Sequence, residues 1–168
     1  FAQKKEIAAA VKAIDAGDVA ATNSQIAAAE AVMGGKTYLV EPAVLEQYYY
    51  AKGLALLKSG KNAEGAAYLA KMSERGKEKI YTGKDSSKTK VYYVGKAAAD
   101  QSGIQGLKED TYLPVLTGKI GNTINPLIEA ANETAMNAYT AKNYAAAAPK
   151  FKEVYDLLKA GGQDNKQY

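Results

Sequence analysis

Residues 48–72, YYYAKGLALLKSGKNAEGAAYLAKM, constrain the fold more tightly than any other stretch. Gly60, followed by Lys61 and Asn62, interrupts two halves with helical apolar spacing. Gly53 stands in the first half and Gly65 and Ala66 in the second, flanked by the larger Tyr49, Leu56 and Leu69. Two antiparallel helices joined by a tight turn bring such small residues face to face. The stretch predicts a helix, a turn at Gly60 and a second helix packed closely on the first.

The same outline recurs on both sides. In 4–16, Ile7, Val11 and Ile14 fall at helical spacing, and Ala16-Gly17-Asp18 breaks the run with Asp18 placed to cap the next helix. In 19–33, Val19, Ile26 and Met33 mark one side of that second helix, which Gly34-Gly35 ends. Residues 36–43 form a link, with Pro42 near the start of the next helix. Helical pattern returns from about 123 to 160, with Pro126 expected in the first turn and Pro149 inside the second helix, where it should bend it.

This arrangement resembles the tetratricopeptide repeat (TPR) family, in particular exported bacterial TPR-like proteins. The family pattern places a small residue eighth, a Gly at the turn and a small residue twentieth. Gly53, Gly60 and Gly65 meet it, while the first unit carries Thr22 at a small position and is degenerate. Ala135, Tyr144, Ala147, Phe151 and Val154 match the small, aromatic and apolar places of the last unit, although Lys142 replaces the turn Gly. The spacing from Gly17 to Gly60 to Lys142 exceeds a repeat of about 34 residues by the 36–43 link and then by a long insertion. The resemblance implies a mainly α fold: a TPR-like α-solenoid of three antiparallel helix pairs within one domain, 1–168. Repeats are expected at 3–35, 44–76 and 123–160, an insertion at 77–122, and a truncated or further repeat beginning in 161–168, whose uncapped end would suit a homo-oligomer.

The insertion differs in chemistry from the rest. Lys71 to Lys96 holds eight Lys/Arg against three Asp/Glu. Residues 78–82 and 89–94 are β-branched and aromatic around a turn-like 83–88, which predicts a β-hairpin. A short helix is expected at 96–102 and an extended piece at 112–116.

Composition then removes whole classes of function. The chain has no Cys and no His, which excludes a thiol nucleophile, a disulfide framework, Ser-His catalysis and His or Cys metal sites. Glu129 and Glu133 lie one turn apart but have no third partner, and the Gly118–Thr123 run lacks the order of a phosphate-binding loop. Neither an enzyme nor a cofactor is expected. A net charge of +4 does not by itself point to nucleic acid, and no apolar run is long enough to span a membrane. The start Phe1-Ala2-Gln3 fits a signal-peptidase junction, so export to the periplasm or outside the cell is expected.

The expected function is a non-enzymatic protein-interaction scaffold. By the resemblance, the concave surface is formed by Tyr50, Leu54 and Leu57 of the second unit and Asn132, Met136 and Tyr139 of the third, and receives a protein or peptide. Of the three adjacent tyrosines, Tyr49 takes the core place, with Tyr48 and Tyr50 nearer the edges. The alternative is a glycan- or nucleic-acid-binding module built on the insertion. There Lys79, Lys84, Lys88 and Lys90 would hold anionic groups, and Tyr81, Tyr92 and Tyr93 would stack on sugars or bases. Strand alternation puts Tyr92 and Tyr93 on opposite faces, so only one serves a given surface.

Overall fold

The structure, a computed structural model, describes residues 2–162. Phe1 and residues 163–168, on which the export junction and most of the further-repeat expectation fall, lie outside the described residues. The described chain is mainly helical with one small antiparallel sheet. Three helix pairs are α1 (Ala2–Asp15) with α2 (Val19–Met33), α3 (Pro42–Lys58) with α4 (Asn62–Glu74), and α6 (Gly121–Thr140) with α7 (Tyr144–Ala160). Between the second and third pairs lie β1 (Lys79–Lys84), β2 (Lys90–Val94), the short α5 (Lys96–Gln101) and β3 (Lys108–Thr111).

One turn is used three times. Gly17, Gly60 and Lys142 all take left-handed backbone, with φ of 79°, 80° and 61°. In each, the left-handed residue donates its N–H to the carbonyl three residues back: Ile14, Leu57 and Tyr139. The next residue donates to Ala13, Leu56 and Ala138, closing the last helical turn of the first helix. Asp18 and Asn143 then cap the following helices through the backbone N–H of Ala21 and Ala146, whereas Lys61 provides no side-chain cap. The equivalence drawn between Gly17, Gly60 and Lys142 therefore holds at the level of backbone hydrogen bonds.

At the contact of α3 with α4 the backbones approach closely. A methyl at Gly53 would stand 2.6 Å from Leu69 Cγ, and one at Gly65 would stand 2.8 Å from the Gly53 carbonyl oxygen. Leu57 reaches across to Gly65, and Leu69 to Gly53, so each large side chain closes over the small residue of the other helix. α3 also packs on both α1 and α2, and the main core runs from Ile7, Ile26 and Met33 through Leu45, Leu54 and Leu69 to Ile120, Ile124 and Leu157.

Because α3 is enclosed on several sides, its tyrosines differ from expectation. Tyr48 and Tyr50 are buried and Tyr49 only half-buried. A buried phenol needs a hydrogen-bond partner. Tyr48 donates to Glu30 of α2 at 2.6 Å, and Tyr50 to Asp15 of α1 at 2.6 Å. The third pair joins differently from the first two, through α7 against α4. Pro126 lies in the second turn of α6 rather than the first, because that helix starts at Gly121; α7 continues through Pro149.

The sheet order is β2-β1-β3, all antiparallel. The expected hairpin is β1–β2. The third strand, Lys-Glu-Asp-Thr, goes beyond the expectation, because all four of its residues are exposed and no apolar alternation marks it. Its charges protect a free sheet edge. The opposite edge, on β2, lies beside the short turn Thr37–Leu39.

Candidate functional site

The segment leaving β3 decides what happens to the expected groove. Buried Glu46 on α3 accepts hydrogen bonds from the Tyr112 hydroxyl at 2.6 Å and from the backbone N–H of Val115 and Leu116 at 2.7 and 3.1 Å. A few residues on, Lys119 pairs with Asp15 at 3.0 Å, and its ammonium lies 5.3 Å from the centre of the Tyr50 ring. Residues 112–120 thus pass over the face of α3 that the repeat pattern assigns to a partner.

That corrects half of the expected groove. Tyr50, Leu54 and Leu57 are 2%, 4% and 3% exposed and cannot meet a partner. Tyr50 is covered through Lys119 and Asp15, Leu54 belongs to the core, and Leu57 is turned toward Gly65 of α4. The other half stays open. Asn132 is half-buried, and Met136 and Tyr139 are 46% and 54% exposed. Tyr139 meets the ring of exposed Tyr144 at 5.4 Å and that of Phe151 at 6.4 Å.

Strand register divides the insertion's side chains between two faces. Lys84 pairs with Lys90, and Thr82 lies between Tyr92 and Lys108. Lys84, Lys90, Lys108, Thr82 and Tyr92 therefore share one face. Tyr93 and Tyr81 occupy the other, where Tyr93 stacks on Tyr38 at 5.6 Å and Tyr81 donates to Glu109 at 3.1 Å. Lys79 also lies on that second face and donates to Thr111 at 2.8 Å. Of the expected polymer-binding set, Lys84, Lys88, Lys90 and Tyr92 come together, while Lys79 and Tyr93 are corrected to the far side. α5 and Leu107 cover part of that side, Leu107 lying over Gly83.

Two hollows flank Tyr92 on the first face. One, of about 530 Å³, lies between the hairpin and the starts of α1 and α3, lined by Gln3, Lys4, Val40, Glu41, Lys88 and Tyr92 among others. The second, of about 470 Å³, is lined by Thr82, Lys84, Gly106, Lys108 and Asp110. Lys90 and Tyr92 border both, so the two hollows form one surface. Lys88 is directed by Asp85, whose carboxylate accepts from the N–H of Ser87 and Thr89, each at 2.9 Å, and closes a turn with Lys88 at φ 62°. Burial and the Glu41 charge raise the Tyr92 phenol above its ordinary value, so it stays a neutral hydrogen-bond donor near neutrality.

Lys4, Lys84, Lys88, Lys90 and Lys108 are all exposed, and among the described residues none makes a salt bridge. Lys4, Thr82 and Lys108 escape a reading of the sequence. Lys4 lies far away in the chain, and Thr82 and Lys108 join the site only through the register of β1 with β2 and β3. No protein-family model matches the chain, and neither a curated protein nor a solved structure matches it. Among the described residues no cluster of three acidic side chains is placed to hold a metal ion, and no helix is long and apolar enough to cross a membrane.

Proposed function

We propose that this protein is a non-enzymatic binding scaffold whose helix pairs hold the Tyr92 face of the inserted sheet against an anionic polymer. The observation that carries this reading is the convergence of five exposed lysines, unpaired among the described residues, on two joined hollows around one aromatic ring. Like charges lining joined hollows repel one another, and an anionic ligand removes that repulsion. Tyr92 supplies a flat apolar surface for the ligand's ring face.

The helical frame fits repeats of the TPR kind in an α-solenoid. The shared turn at Gly17, Gly60 and Lys142, the close approach at Gly53 and Gly65, and the seating of α3 on both α1 and α2 support that reading. In it, the insertion replaces the concave groove as the binding element. A second reading, a protein partner on the third pair, rests on exposed Met136, Tyr139 and Tyr144 beside Asn132.

The test is a salt titration of polyanion binding. Wild type is compared with Lys90→Ala/Lys108→Ala and with Lys79→Ala on the opposite face. Screened binding that falls with salt, weakens in the double variant and survives in Lys79→Ala supports the proposal. Equal loss in both variants sinks it.

A further inference from the structure

The Tyr92 surface is not uniformly basic. Glu41 lines one hollow and Asp110 the other. Gln3 also borders the first hollow; its residue is 8% exposed, and among the described residues its side-chain amide makes no hydrogen bond. An amide at the wall of the hollow with no such partner offers a ligand both a donor and an acceptor. Carboxylates within a lysine cluster repel any anionic polymer, and a DNA backbone offers them no hydroxyl donor in return. They accept hydrogen bonds from sugar hydroxyls. Base stacking along a strand also uses successive aromatic platforms, and this face has Tyr92 alone among its tyrosines, with Tyr81 and Tyr93 on the reverse.

We infer that the polymer is an acidic glycan. This rests on the binding function proposed above. Lys84, Lys90 and Lys108 meet its carboxylates, the Tyr92 ring lies against a sugar face, and Gln3, Glu41 and Asp110 read its hydroxyls. The cations supply most of the attraction. The three acceptor side chains set the class of polymer.

The experiment uses the full chain with three probes: an oligogalacturonate, its neutral methyl ester, and oligo(dT) of matched charge. Affinities are measured at low and high salt for wild type, Gln3→Ala, Glu41→Ala/Asp110→Ala and Lys90→Ala/Lys108→Ala, with folding checked by circular dichroism. The expected result is tighter binding of the oligogalacturonate than of oligo(dT) and of the neutral ester. Gln3→Ala should weaken the oligogalacturonate by about 3- to 10-fold, the usual worth of a hydrogen bond, without changing oligo(dT). Removing both carboxylates should weaken the glycan and strengthen oligo(dT), and this opposite sign is the decisive readout. If removing them strengthens both probes, or oligo(dT) binds as tightly as the glycan while the lysine variant loses both, the glycan assignment falls and polyanion binding stands. If no anionic probe binds at low salt, both fall.

Discussion

The hydroxyl of Tyr112 donates to the carboxylate of Glu46 at 2.6 Å, across 66 residues of chain. That bond ties the end of the insertion to the middle of α3. Glu46 also holds the N–H groups of Val115 and Leu116, and Pro114 between them and Tyr112 rests on Gly76. The result is a fixed strap with exposed Leu113 and Val115 on its outer side.

Glu46→Ala should destabilise the protein by about 3–5 kcal/mol, because one buried carboxylate satisfies three donors that would lose their partner. Urea unfolding measures the loss. Cleavage within 112–116 under limited proteolysis should rise in the same variant. An unchanged urea midpoint with unchanged cleavage would show that the strap is held by other contacts.

Gly53→Ala should cost about 1–3 kcal/mol, since the added methyl falls 2.6 Å from Leu69 Cγ in a packed contact. Gly65→Ala is expected to be at least as severe, because its methyl meets the Gly53 carbonyl oxygen, which cannot rotate away. Thermal unfolding of the two variants side by side checks the order.

Lys142→Gly should stabilise the third pair by about 1 kcal/mol. Lys142 holds left-handed backbone at φ 61°, a conformation that costs an L-residue energy and that glycine adopts freely. Lys61→Asp should add a similar amount by giving α4 the side-chain cap that Asp18 gives α2. Chemical denaturation of each variant against wild type is the measurement.

Acid should weaken the α2–α3 contact. Burial alone raises Glu30, but hydrogen bonds from Lys52 and Tyr48 and the Lys52 charge outweigh it and hold the carboxyl below its ordinary value of 4.5. A depressed folded value means that this stabilisation is full above 4.5 and is lost as pH falls through the lower folded value. Asp15, opposed by burial but held down by Tyr50 and Lys119, adds the same dependence below 3.8. Urea midpoints across this range should fall less steeply in Glu30→Gln than in wild type.

At the alkaline end the sign is reversed. Burial first, and then the Glu30, Asp15 and Glu46 carboxylates, push the phenols of Tyr48, Tyr50 and Tyr112 well above the ordinary 10.0. Their contribution is full below about pH 10 and is lost as pH rises toward the folded values. Spectrophotometric titration should show tyrosines that ionise only as the protein unfolds. A single normal titration of all tyrosines in folded protein would overturn this.

How far the fold is legible depends on the range of the interaction. The turns at Gly17, Gly60 and Lys142 are readable because left-handed backbone and helix-closing hydrogen bonds involve residues within five positions of one another. The hairpin is readable from its β-branched and aromatic runs. β3 is not, since an exposed edge strand of Lys, Glu, Asp and Thr leaves no apolar period to find. Tyr50 shows the limit within a single helix. Repeat position places it at a groove, and nothing near it in the chain reveals that Lys119 lies over its ring.

The helix pairs, the common turn and the Gly53–Gly65 contact are written in the chain itself, because periodicity, backbone sterics and side-chain size act locally. Which surface stays open is settled by the fold in three dimensions. Glu46 draws 112–116 across α3, strand register sends Tyr92 and Tyr93 to opposite faces, and Lys4 and Lys88 line one hollow. Those choices are made by hydrogen bonds and packing between residues far apart in the chain, and such pairings leave no periodic mark on either partner's local sequence.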